Sequence, residues 1–177
     1  MTSILDAVRQ QLGPDTIQQM SGALGADPAA TSNAISLALP ALLGGLSQNA
    51  AQPQGAAALD TALNAHDGSI LDNLGGMLGG GGGIGGAILG HIFGGRRDTV
   101  EQGVGRGSGL NAGQVAQLMA MLAPLVMGVL GRMKQNQGID ATRLPDVLQK
   151  GREQAEQETP GLGGILDALG GMFGKKA

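Results

Sequence analysis

Two histidines, His66 and His91, and one dense run of glycines are the residues whose types invite chemistry. His66, Asp67 and Ser69 place a base, a carboxylate and a hydroxyl within four residues, the raw material of a hydrolytic or metal site. A zinc or catalytic centre needs several convergent ligands, and two histidines with no cysteine in 177 residues make a thin set. HDGS (66–69) reads more simply as a turn in which Asp67 or Ser69 caps the ILDNL segment that follows. A G-x-S-x-G elbow is missing, as are paired carboxylates at helical spacing on an apolar face. Gly81, Gly83 and Gly86 fit the G-x-G-x-x-G frame of a dinucleotide site, but five consecutive glycines match that frame by chance. No strand pattern precedes it, no acidic partner sits at the required distance, and no Gly-Lys-Ser/Thr follows. The expectation is a protein without catalytic residues, cofactor or metal.

The elements that would have to position such residues are helical. Hydrophobic residues make up 42% of the chain, yet Phe93 and Phe173 are its only aromatics. A core of Leu, Ile, Val, Met and Ala suits helix packing better than a β-sandwich, whose strands favour aromatic and β-branched residues. Net charge is −3, and Arg96–Arg97 is the only adjacent arginine pair, so the electrostatic footprint of a nucleic-acid binder is missing. MTSILDAVRQQLG has neither a basic n-region nor a long apolar h-region, which reads as a cytoplasmic protein.

The chain resembles itself. DTIQQ (15–19) lies over DTVEQ (98–102), and GADPAATSNAISLALPALLGGL (25–46) lies over GLNAGQVAQLMAMLAPLVMGVL (109–130). Two repeats are therefore expected, about 3–49 and about 88–135, joined by a linker with short helices over about 50–87. Asp27 and Asn111 stand at the N-caps of the two long apolar segments, with Gln114 completing a capping box in the second. Inside those segments lie Pro40 and Pro124, each costing roughly 3 kcal/mol relative to Ala in a helix interior. Such a cost is tolerable where a kinked helix bends round a partner, with Gly44 and Gly128 allowing close approach one turn later. The fold expected is an all-α bundle of two pseudo-symmetric repeats, each with a proline-kinked buried central helix, plus flexible Gly-rich segments.

Residues 75–86, GGMLGGGGGIGG, hold nine glycines in twelve. As a helix they would lose about 9 kcal/mol relative to alanine, so the stretch reads as linker, spanning about 20 Å as a coil. Uncharged runs here and over 107–131 raise the question of a bilayer, but Asn111, Gln114, Gln117 and a mid-span proline oppose a span, and mean hydropathy is barely positive. Residues 136–160 mix charges of both signs and contain Gly151, which reads as an exposed helix or linker starting near Pro145. Residues 161–177 form an apolar, Gly-rich tail. ILDAV (4–8), ILDNL (70–74), ILGHI (88–92) and ILDAL (165–169) each read as a short amphipathic helix.

HDGSILDNLGGMLGG, then GAILGHIFGGRRDTVEQ (86–102), then SGLNAGQVAQLMAMLAPLVMGVLGRMKQ (108–135) carry a family likeness. The chain resembles the YidB-like bacterial proteins, a domain-of-unknown-function family, over about residues 1–140. The resemblance implies an all-helical fold and a bacterial origin, with no established activity and no catalytic residues to carry across.

Function is therefore expected to be interaction or self-assembly. More apolar Gly-rich sequence is present than one small core needs, with Met77, Ile165, Leu166, Leu169, Met172 and Phe173 as the candidate contact residues. The expected partner is a second copy or another protein, not nucleic acid, and no small-molecule substrate is identifiable. Peripheral attachment to a membrane surface through the Gly/Leu segments is the alternative expectation.

Overall fold

The computed structural model describes residues 3–65, 69–72, 76 and 83–159, and every regular element among them is a helix. Ser3 opens α1 (Ile4–Gln11), its hydroxyl oxygen accepting the Asp6 N–H at 3.1 Å. Pro14 starts α2 (Pro14–Leu24), where a missing N–H costs nothing. Asp27 starts α3 (Pro28–Ala50), its carboxylate accepting from the N–H groups of Ala29 and Ala30. There follow α4 (Pro53–Ala65), the single turn α5 (Ser69–Asp72), α6 (Gly83–Phe93) and a 3-10 turn over Gly94–Arg96. The chain continues through α7 (Arg97–Ser108), α8 (Ala112–Gln137) and α9 (Leu144–Glu158). Asn111 and Gln114 form the reciprocal capping box of α8, with bonds of 2.9 and 3.1 Å.

The two longest helices, α3 and α8, occupy the middle. Leu42 and Leu43 of α3 and Leu118, Leu122, Leu125 and Leu130 of α8 are fully buried, and the shorter helices lie around them. In α1, α4 and α5 the first half of the chain supplies neighbours to α8; in α7 and α9 the second half supplies neighbours to α3. The halves thus share one core, to which each contributes a central helix. The outer helices bury single stripes, as with Ile4, Leu5 and Val8 of α1, while α3 and α8 are apolar nearly all round.

Two segments differ from the sequence expectation. The glycine run 75–86, expected as linker, gives way to helix at Gly83, so α6 includes Gly83, Gly85 and Gly86. Docking overrides propensity here: Gly85 is buried against α8, and an ideal Cβ built on it would lie 1.8 Å from the Ala120 carbonyl oxygen. The Gly85 Cα is therefore within about 3.3 Å of that oxygen, the range of a Cα–H···O contact. Ala120 is the residue whose helical donor Pro124 removes.

The segment 136–160, expected as an exposed helix or linker, instead buries Leu144, Leu148, Gly151 and Ala155 of α9 against α3 and α1. Gly151 does not interrupt the helix. It marks the closest approach, for a Cβ there would stand 2.2 Å from Ile4 Cγ2. Ser47 faces Gln149, their polar atoms 3.3 Å apart, while Pro40 lines a groove with Ala155 and Thr159, so α9 runs antiparallel to α3.

Gly85 and Gly86 should respond to alanine with opposite signs. Gly85→Ala forces α6 away from α8 and should destabilise the protein by about 1–3 kcal/mol. An added Cβ at Gly86 meets nothing within 4 Å, and Gly86→Ala should stabilise by up to about 1 kcal/mol. Urea unfolding followed by far-UV circular dichroism measures both.

Candidate functional site

The site begins at the seam between α6 and α8. Gly85 sits on the Ala120 carbonyl, and on the next turns Leu89, Ile92 and Phe93 are buried. Ile92 and Phe93 reach α3, where a Cβ on Gly45 would meet their side-chain atoms at 2.5 and 2.8 Å. With its inner face fixed in this way, α6 turns Gly83, Ile84, Ala87, Gly90 and His91 outward. Ile84 is 60% exposed, and it is the large hydrophobic residue left outside the core among the described residues. An added Cβ at Gly83, Gly86 or Gly90 meets nothing within 4 Å. Apart from His91 at its C-terminal end, the outer face is apolar and low in relief.

Polar clamps hold this helix at its far end. Asn49 Nδ2 donates to the His91 carbonyl oxygen at 2.8 Å, and Arg96 Nη1 donates to Gln48 Oε1 at 2.9 Å. Arg97 Nε pairs with Glu101 Oε1 at 2.6 Å one turn along α7, where Glu101 is buried. Within GHIFGGRRDTVEQ, Arg96 thus ties the turn after α6 to α3, and Arg97 pairs inside α7. Elsewhere Gln114 and Gln117 donate to the carbonyls of Leu24 and Ala23, fastening α8 to the end of α2. Lys134 Nζ reaches Asp60 Oδ1 at 2.5 Å and Asn64 Oδ1 at 2.7 Å, tying α8 to α4.

The structure scatters the residues singled out in the sequence. Pro40, Gly44, Pro124 and Gly128 are buried in the two central helices, and Asp27 and Asn111 cap those helices. Met77, Ile165, Leu166, Leu169, Met172 and Phe173 lie outside the described residues, as do His66 and Gly81. Gly83 and Gly86 stand within a helix, which is not the strand-to-helix turn of a dinucleotide site. Among the described residues no group of three or more His, Asp or Glu could hold a metal ion. The outer face of α6 was missed because its glycines read as linker. The signal that would have found it is the spacing of Gly85, Leu89, Ile92 and Phe93, an inner helical stripe that begins inside the glycine run.

Two further features bear on binding. A groove of about 540 Å³ lies between α1, the end of α8 and the start of α9, lined by Ile4, Met133, Ile139, Arg143, Asp146 and Lys150 among others. By length and composition α3 and α8 could each cross a membrane, but in this fold 72% and 78% of their apolar windows are buried. In the turn before α9, Asp140 accepts from the Thr142 hydroxyl at 2.6 Å and from two backbone N–H groups. The Thr142 hydroxyl bond, followed by the Arg143 N–H, holds its carboxyl below the ordinary value of 3.8.

Fold and site together define an all-helical domain built round two proline-containing apolar helices, with its polar groups used as internal ties. The chain belongs to a family of bacterial proteins of unknown function, DUF937, whose profile matches residues 6–133. No curated protein and no solved structure matches it.

Lys134→Met should cost about 1–3 kcal/mol, because Asp60 loses its cation while half-buried, and denaturant midpoints measure it. The Asp140 carboxyl should titrate below its unfolded value. Its depressed pKa favours folding above the unfolded value, and that contribution is lost as pH falls through the folded one. Carbon-detected NMR titration reads this directly, and Thr142→Val should move the midpoint upward.

Proposed function

We propose that this protein is a non-catalytic helical module that associates with a second copy of itself through the outer face of α6. The observation that carries the reading is Ile84 standing exposed among glycines at which an added Cβ meets no described residue within 4 Å. Each glycine in a solvated helix loses about 1 kcal/mol relative to alanine, and inside this domain Gly83, Gly86 and Gly90 gain no close contact in return. A neighbour that approaches the backbone of α6 closely supplies the missing reason. Such a neighbour is what a self-associating chain provides, since like faces meet across a twofold axis.

The two-repeat reading belongs to the same proposal. A short helix ending at a left-handed glycine (Gly25 at φ 60°, Gly109 at φ 80°) precedes a capped long helix in each half. The internal proline lies twelve residues beyond the first helical residue in both, from 28 to 40 and from 112 to 124. On this reading the prolines are one inherited feature. They kink both central helices, and the freed carbonyl of the second receives Gly85.

Light scattering with refractive-index detection across a concentration series tests association, since a chain without Trp or Tyr barely absorbs at 280 nm. The expected result is a discrete oligomer whose mass falls to that of the monomer on Ile84→Glu, with helicity unchanged. A wild-type mass that stays monomeric at every concentration overturns the reading. Flotation of the monomeric protein with liposomes would then favour attachment to a membrane surface.

A further inference from the structure

The residues that α6 leaves exposed are Gly83, Ile84, Ala87, Gly90 and His91, and they lie evenly about Ala87. Ile84 and Gly90 stand three residues to either side of it, Gly83 and His91 four. Helical periodicity accounts for the even spacing. It does not account for the sizes: at each distance a large side chain on one side is matched by a glycine on the other. An added Cβ at Gly83 or Gly90 meets no described residue within 4 Å, so the packing of α6 on α8 and α3 does not call for either glycine.

A twofold axis can join two copies of this face in two ways. With the axis along the helices they run parallel, and Ile84 stands on Ile84 and His91 on His91. With the axis through Ala87 and across the helices they run antiparallel, and each residue meets the one equally far on the other side. Ile84 then enters the gap over Gly90 of the second copy, His91 lies over its Gly83, and Ala87 meets Ala87. Only the antiparallel arrangement sets large on small throughout. It also brings opposite ends of the two helix macrodipoles side by side, where the parallel one brings like ends together.

We infer that two copies associate as an antiparallel α6 pair whose twofold axis passes through Ala87, with Ile84 of each seated over Gly90 of the other. This register rests on the self-association proposed above and specifies it. Each α6 is 11 residues, about 16 Å, long, so the contact falls below the ~1,200 Å² of a standard interface and assembly is weak and concentration-dependent. Close approach of the two backbones at the glycines is what so small a contact relies on.

Exchanging the large and small residues tests the register. Gly90→Ile alone sets two large side chains against each other and should raise the dimer dissociation constant about tenfold or more, the scale of an overpacked site. Adding Ile84→Gly returns one large and one small residue to each contact and should restore the wild-type constant to within about threefold. Gly90 faces open space in the single chain, so α6 stays folded, and unchanged far-UV circular dichroism verifies it. An apolar patch without register behaves the opposite way, because Gly90→Ile adds apolar surface and tightens the dimer. Light scattering over a concentration series reads all three proteins. A Gly90→Ile dimer as tight as wild type or tighter, or a double variant as weak as Gly90→Ile, overturns the register while self-association stands. Wild-type protein that is monomeric at every concentration overturns both. As a second measurement, the chain has no cysteine, so Ala87→Cys reports the axis without background. Under mild oxidation it should form linked dimers about tenfold or more faster than Ala58→Cys, an exposed alanine of α4, because only residues on the axis come within disulfide reach of their own copies. Equal rates would also overturn the register.

Discussion

Pro124 removes the N–H that would close on the Ala120 carbonyl, and Gly85 brings its Cα to that oxygen. Two residues that are poor in helices thereby make each other tolerable. The proline opens an acceptor inside a buried apolar helix, where an unmet carbonyl is expensive; the glycine lets a second backbone approach near enough to answer it. Once α6 is seated there, Leu89, Ile92 and Phe93 are carried into the core, and Ile92 and Phe93 are brought against Gly45 of α3. The clamps from Gln48 and Asn49 then fix the turn into α7. Much of the second half is positioned from this one contact.

A core with so few aromatics has to gain its cohesion by another route. Large side chains bridge distant backbones in many domains, whereas here the backbones themselves come close. Gly151 under Ile4 and Gly45 under Ile92 and Phe93 are the related case, a bare backbone receiving a side chain from a neighbouring helix. Short separations bring many atoms of two helices within dispersion range at once, and the sum replaces what aromatic rings would supply. Charged groups take a supporting part: Lys134, Arg96 and Arg97 each tie elements or turns of this one chain together.

The central helices were legible in the sequence because their signals are local. Asp27, Asn111 and Gln114 announce helix starts by type and spacing, and an apolar surface nearly all round announces burial. The start of α6 and the burial of α9 were not legible. Propensity argues against a helix through Gly83, Gly85 and Gly86, and only a partner helix of matching relief reverses that balance. Gly151 reads locally as an interruption, and its purpose depends on Ile4, far away in the chain. The outer face of α6 stayed hidden for the same reason, since it exists only once the inner face is known to be seated.

The pairing of α1 with α9 sets the order in which the molecule can be made. Ile4 rests on Gly151, and Arg9 meets Glu158, so the first described helix finds its neighbour in the last described one. The helix α3 cannot be wrapped by its full set of neighbours until α9 has been made, roughly a hundred residues after it. The apolar faces of α3 must therefore wait, through roughly ten seconds of synthesis at bacterial rates, for a helix made about a hundred residues later. Until α9 is made, the faces of α3 that Leu144, Leu148 and Ala155 help to cover stay open.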